Sequence, residues 1–210
     1  MGKITSVTRQ QKNKERVSIF VDGEYFGALD EKTFADSGLK SGDELTDERW
    51  AELSVQGENR AAFNRGIYYI SKVMRSEKQV RDYLIKKGYE QPAIDYALDK
   101  MSEYGYIDDE AYGRMIMSHQ INVKHAGAFA AKAELYKKGI PEDIAESILS
   151  EYGDDSQLEN AKIQYEKLDR RYNRETDTQK KRQKIAQAMA RRGFDWEIIN
   201  KAERSFEGSH

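Results

Sequence analysis

The residues of this chain best suited to chemistry are paired cations at recurring positions, and the chemistry they suit is the binding of an anionic partner. Leu84-Ile85-Lys86-Lys87-Gly88-Tyr89 recurs as Leu135-Tyr136-Lys137-Lys138-Gly139-Ile140 and again as Met189-Ala190-Arg191-Arg192-Gly193-Phe194. A row of cations spaced along a chain matches a polymer that carries regularly spaced negative charge. Arg75, Lys78 and Arg81 add basic charge just ahead of the first motif, and Lys180, Lys181, Arg182 and Lys184 just ahead of the third. Thr178 to Gly193 holds six cations and no acid, whereas Ser102 to Glu110 holds Glu103, Asp108, Asp109 and Glu110 and no base. The net charge of −2 conceals that segregation. Each pair also sits where a cation stabilises a helix end, so the dipole accounts for part of the pattern.

Other reactive types form no active site. Asp108 and Asp109 are paired carboxylates, but they stand where a helix starts and are explained by capping. The three histidines, His119, His125 and His210, are scattered, and with no cysteine the chain is expected to hold no metal and no disulfide. No phosphate loop, dinucleotide glycine motif or nucleophile motif occurs. The chain is therefore expected not to be an enzyme and to need no cofactor. Tyr68, Tyr69, Tyr104, Tyr106 and Tyr112 could stack on bases, but spacing of this kind favours a place in the core.

The elements that must position the cations are short helices. Ser76 can cap a helix, Gln79 three residues on can complete a capping box, Val80 and Leu84 share one face, and Gly88 can end it in the left-handed conformation. The motif glycines at 88, 139 and 193 lie 51 and 54 residues apart, with Ile94, Ile144 and Ile198 at equivalent places beyond them. A period near fifty signals repeated helical units. At 210 residues the chain suits several small units, and 13 Tyr and 7 Phe argue for folding despite 34% charged residues. It has no apolar run of about 18 residues and no apolar leader at its N-terminus, so a cytoplasmic protein is expected.

In chain order, period-two patterning predicts strands at about 4–10, 16–21 and 24–29, with a tight Asp22-Gly23 hairpin and a polar connection over Gln10 to Glu15. A short helix near Glu31 to Ser37 is broken by Gly38 and Gly42, and Thr46 or Asp47 can cap a helix through Trp50 and Leu53. Three units of three helices follow. The first has Phe63, Ile67 and Ile70 on its opening helix. The second opens at Asp108 or Asp109 and places Pro141 at the first position of its last helix. The third runs from Leu158 to Tyr172, then through a capping box of Thr176 and Gln179, to a helix with Trp196 and Phe206. The expected fold is mainly α: three tandem three-helix repeats (57–106, 107–153 and 154–210) in an elongated array that can curve, behind a small N-terminal α+β cap (1–56) containing a β-hairpin.

Arg75-Ser76-Glu77-Lys78-Gln79-Val80-Arg81-Asp82-Tyr83-Leu84 with Lys87-Gly88, followed by Gly105-Tyr106-Ile107-Asp108-Asp109-Glu110-Ala111-Tyr112, closely resembles the RecX regulatory family. The likeness covers residues 1–206, including the hairpin-containing N-terminal extension. It implies a bacterial protein without a catalytic site that binds the RecA filament in its helical groove and modulates, mostly by inhibition, its recombinase, ATPase and coprotease activities. That places the protein in homologous recombination, DNA repair and the SOS response. Apart from the resemblance, a monomer is expected, and the basic clusters allow single- or double-stranded DNA as a weak, salt-sensitive second partner. One departure concerns the middle helix of the second unit, which is strongly basic in many relatives and here reads Ala128-Phe129-Ala130-Ala131-Lys132-Ala133. The competing reading is a nucleic-acid-binding or transcription-regulating protein, because a three-helix unit is also the helix-turn-helix plan. Against it, the third helices over Pro92 to Tyr104 and Pro141 to Tyr152 are acidic where base-reading side chains are needed. A passive repeat scaffold is the third.

Overall fold

Alternating apolar residues in the first thirty positions build three antiparallel strands. The computed structural model describes residues 2–11 and 16–207. β1 (Gly2–Arg9) pairs with β2 (Arg16–Val21), and β2 pairs with β3 (Glu24–Asp30). The β2–β3 turn is Asp22-Gly23, with φ of 51° and 91°; two positive values make the turn whose twist suits a two-residue hairpin. Most of the polar connection read over Gln10 to Glu15 lies outside the described residues. α1 (Glu31–Ser37) starts at Asp30, whose carboxylate accepts from the Thr33 amide, and ends at Gly38. The sequence pattern missed β4 (Glu44–Leu45), which pairs with the free edge of β1 to give the order β3-β2-β1-β4. Two residues carry no periodicity, so this strand exists only through its partner. Ile4, Val17, Ile19, Leu29, Leu45 and Leu53 form the core beneath the sheet.

α2 (Asp47–Ile70) corrects the reading of two separate helices, one through Trp50 and Leu53 and one through Phe63, Ile67 and Ile70. Thr46 caps it by accepting from the Arg49 amide, and it runs unbroken for 24 residues through Gly57 and Gly66. A Cβ at Gly66 would lie 2.7 Å from the Met101 sulfur, so that glycine lets another helix approach closely and does not end this one.

The chain divides into two compact units, Met1–Val73 with Val80–Tyr106 and Met74–Gln79 with Ile107–His210. In the first, α2 packs on α4 (Gln91–Glu103). Val80 and Leu84 of α3 (Glu77–Lys86) are buried there, with Ile94, Leu98 and Met101. In the second, α5 (Asp109–Asn122), α6 (Ala128–Lys137) and α7 (Glu142–Ser150) enclose Tyr112, Ile116, Leu135 and Ala145. α8 (Asp154–Arg171), α9 (Thr178–Ala190) and α10 (Trp196–Glu207) enclose Tyr165, Leu168, Ile185, Met189 and Ile199. The five apolar positions expected inside the middle helices, Val80, Leu84, Leu135, Ile185 and Met189, are all fully buried.

The second unit also contains a polar seam. The Gly127 amide donates to the Arg192 carbonyl and the Phe129 amide to the Gly193 carbonyl, each at 3.0 Å. Nearby, the Tyr152 hydroxyl donates to the Ala126 carbonyl at 2.9 Å and accepts from Asn160 Nδ2 at 2.7 Å. Asn160 Oδ1 faces His125 Nδ1 at 2.8 Å, and Gln164 donates to the Lys124 carbonyl at 2.8 Å. Buried polar groups satisfied in this way hold one packing arrangement.

Helix starts follow local chemistry, with two corrections. The Ser76–Gln79 capping box forms reciprocally, both bonds at 3.2 Å, and Asp108 accepts from the Ala111 amide. α9 is capped by Asp177, which accepts from the Gln179 and Lys180 amides, and not by Thr176. A carboxylate adds its charge to the cap and outcompetes a hydroxyl one residue earlier. Pro141 stands at the cap of α7, one position before the first helical residue.

Asp109 accepts from the Glu77 amide at 2.9 Å. Burial is the main cause that raises its pKa above 3.8, and the Glu77 and Asp108 carboxylates push the same way. The folded state therefore holds this proton longer than the unfolded chain. Stability from this group is greatest below 3.8 and falls as pH rises through the raised value. Asp109→Asn, which keeps the acceptor, is expected to flatten that fall, as read from urea midpoints on both sides of the range; an unchanged pH profile would exclude Asp109 as its source.

Candidate functional site

The three cation pairs sit on three copies of one helix ending. Gly88, Gly139 and Gly193 have φ of 86°, 80° and 85°. Each is followed by an apolar residue whose amide turns back to the carbonyl five residues earlier: Tyr89 to Leu84 at 3.3 Å, Ile140 to Leu135 at 3.1 Å, and Phe194 to Met189 at 3.3 Å. This is the closing bond of a Schellman motif. It fixes the direction of the two basic residues before the glycine in the same way each time. The first of each pair, Lys86, Lys137 or Arg191, is exposed. The second is engaged locally: Lys87 over the Tyr83 ring at 5.4 Å, Lys138 at 3.8 Å from Glu134, and Arg192 donating to the Ala188 carbonyl. Lys137 also lies 3.9 Å from Glu134. Lys86 belongs to the first unit, Lys137 and Arg191 to the second.

The dense cluster on α9 proves not to be a bare cationic face. Lys181 meets Asp169 of α8 at 2.6 Å, Lys184 meets Glu175 at 2.5 Å and Lys180 lies 3.6 Å from Asp177. Arg182 pairs with Glu203 and Glu207 of α10. Lys184 holds the Glu175 carboxyl below the usual range, and Glu175 in turn raises the pKa of Lys184. The sequence window over α9 contains no acid because every acid that answers it comes from α8, α10 or the loop before α9.

Of the cations around α3, Arg81 pairs with Asp95 of α4 at 2.6 Å and holds that carboxyl below its ordinary value. Lys78 is exposed, with its stem against Gly139, and Arg75 is half-buried. Ser76 is buried, and its hydroxyl donates to the Lys138 carbonyl at 2.6 Å. The residue that starts α3 thus also satisfies the end of α6.

The expectation that the tyrosines are core holds for Tyr112 and fails for Tyr68, Tyr104 and Tyr106, which are 57%, 57% and 54% exposed. Tyr104 and Tyr106 pack edge to face at 5.9 Å and each meets Phe63, so they are satisfied by one another on the surface. Tyr69 lies flat on Tyr83 with ring centroids 4.0 Å apart. Sequence reading also passed over Arg65 of α2 and Lys72 just beyond its end. Arg65, Tyr68 and Tyr69 share one helix face, with Lys72 at the next position of the same i, i+3, i+4, i+7 spacing, and that was the available signal.

Family models match three segments of the chain: the regulatory protein RecX N-terminal domain at residues 2–46, the first three-helix domain of RecX at 62–101 and the third at 154–202. The regulatory protein RecX of Listeria welshimeri is 36% identical over 95% of this chain and 74% of its own length. That of Bacillus pumilus is 35% identical over 99% and 79%. A crystal structure of a regulatory protein RecX superposes with a TM-score of 0.77 at 26% identity, covering 97% of this chain and all of the other. The crystal structure of RecX from Lactobacillus salivarius gives 0.66 at 28% identity over 71% and 97%. With the repeated helix ending, the strand cap and these likenesses together, the chain belongs to the RecX family of regulatory proteins.

Proposed function

We propose that this protein is a non-catalytic regulator that binds the RecA–DNA filament in its helical groove and lowers recombinase, ATPase and coprotease activity. The observation that supports this reading best is the threefold recurrence of one helix ending with an exposed leading cation, Lys86, Lys137 and Arg191. A filament repeats its surface at a fixed step, and a chain that repeats its own contact group can use several steps at once. The cations of α9 serve this reading less directly, since their charge is largely matched within the unit.

The experiment is ATP hydrolysis by RecA on single-stranded DNA, with cosedimentation of the protein and the filament. Near-stoichiometric protein should slow turnover and sediment with filaments. The Lys86→Ala, Lys137→Ala, Arg191→Ala triple variant should need about tenfold more protein for half-inhibition at low salt, with unchanged circular dichroism. Unaltered RecA turnover at saturating parent protein would remove the proposal.

A further inference from the structure

One exposed strip of the first unit has cations that face tyrosines where carboxylates would be usual. Just past the end of α2, Lys72 Nζ lies 5.2 Å from the centre of the Tyr68 ring and 3.5 Å from its hydroxyl. Three residues before Tyr68, Arg65 lines one cleft with Tyr68, Lys87 and Tyr89, and the Tyr89 and Tyr83 hydroxyls beside it push its pKa up. Tyr83 carries Tyr69 stacked flat on it and Lys87 above its ring. Tyr89 in turn donates to the Ala61 carbonyl, which fixes its ring. All seven residues belong to one compact unit. Asp30 and Glu58 line the same cleft; Asp30 caps α1 and lies 3.9 Å from Arg60, and Glu58 accepts from the Glu90 amide, while the ion pairs among the described residues include none to Arg65, Lys72 or Lys87.

A tyrosine does not neutralise a cation; it orients it and leaves the charge to act on something else. Lys180, Lys181, Arg182 and Lys184, with more charge, are answered by five carboxylates. The strip's three cations are the opposite case, and the surface between them is aromatic. Phosphodiester backbone with accessible bases is the partner whose chemistry alternates in the same way: phosphates for Arg65, Lys72 and Lys87, and base faces for the exposed Tyr68. A duplex keeps its bases stacked inside and would leave that ring unused.

We infer that the Arg65–Tyr68–Lys72–Lys87 strip is a binding site for single-stranded DNA. DNA is the committed occupant because cations and rings engage phosphate and base and make no use of an RNA 2′-hydroxyl. The inference goes beyond the filament reading and requires no RecA, so each can fail without the other.

The test is fluorescence anisotropy of a labelled dT20 oligonucleotide with the full chain, titrated over salt. Arg65→Ala, Lys72→Ala, Lys87→Ala together should weaken binding about tenfold or more at low salt and reduce the slope of log affinity against log salt by about 2, three contacts at roughly 0.7 each. Tyr68→Ala should cost about fivefold on dT20 and nothing on an abasic oligomer of the same length. The neutral set Lys180→Gln, Lys181→Gln, Arg182→Gln and Lys184→Gln should bind like the parent. Circular dichroism checks that each variant is folded. Parental affinity in the strip variant, an equal loss in the α9 set, or absence of dT20 binding by the parent at low salt would overturn the site. An rU20 oligonucleotide bound tenfold more tightly than dT20 would overturn the choice of DNA.

Discussion

Gly193→Ala is expected to destabilise the protein by about 3–5 kcal/mol, while Gly88→Ala costs about 1–2 kcal/mol. The two glycines occupy the same motif position with φ of 85° and 86°, so the penalty for placing a side chain in the left-handed region is common to both. They differ in what a Cβ would meet. At Gly88 nothing lies within 4 Å, whereas at Gly193 the new carbon would sit 2.1 Å from the Ala130 amide nitrogen and 2.6 Å from its Cβ. The nearest atom is backbone at the start of α6, and it cannot swing aside. Gly139→Ala should fall between them, because its nearest neighbour is Lys78 Cβ at 2.8 Å, a fixed carbon that must shift but stands farther off than the backbone met at Gly193. Denaturant midpoints for the three variants check the order. Equal losses at positions 88 and 193 would mean that the Gly193–Ala130 approach is looser than it stands here.

Leu84→Ala is expected to cost about 2–5 kcal/mol, the range for deleting a fully buried leucine whose surroundings cannot collapse. Leu84 is wholly buried and stands one turn beyond Val80, which itself packs near Gly66 and Met101. Loss of its side chain therefore leaves a cavity among α2, α3 and α4. Leu135→Ala tests the equivalent site in the second unit, where Leu135 reaches towards Gly113 of α5. A loss below about 0.5 kcal/mol for either would place the residue outside the core.

What the sequence disclosed was whatever neighbouring residues decide among themselves. The Asp22-Gly23 hairpin, the Ser76–Gln79 box, the three glycine endings and the buried face of each middle helix depend on contacts within about five positions, and all are present. What stayed hidden required partners far along the chain. β4 needs β1, Gly66 of α2 needs Met101, and the α9 cations need acids on other elements. The surface tyrosines misled for a related reason: aromatic spacing on a helix signals an apolar stripe, but Tyr104 and Tyr106 satisfy each other outside the core. The strip at the end of α2 was legible only in part, since Arg65, Tyr68 and Lys72 follow one helical spacing, while Lys87 and Tyr89 join it through tertiary structure.

The seam at Gly127 and Gly193 bears on how the protein can be cut. A repeat in sequence invites expression of single repeats, and the step between Tyr152 and Asp154 is the natural place to divide the second unit. Division there would strand Tyr152 without Asn160, leave Gln164 without the Lys124 carbonyl, and open two backbone bonds whose partners lie on the other fragment. Amides so exposed exchange with solvent freely, and their loss is felt by both halves. Residues 107–207 should therefore melt in one cooperative step, and fragments made at that junction should regain their order only when mixed.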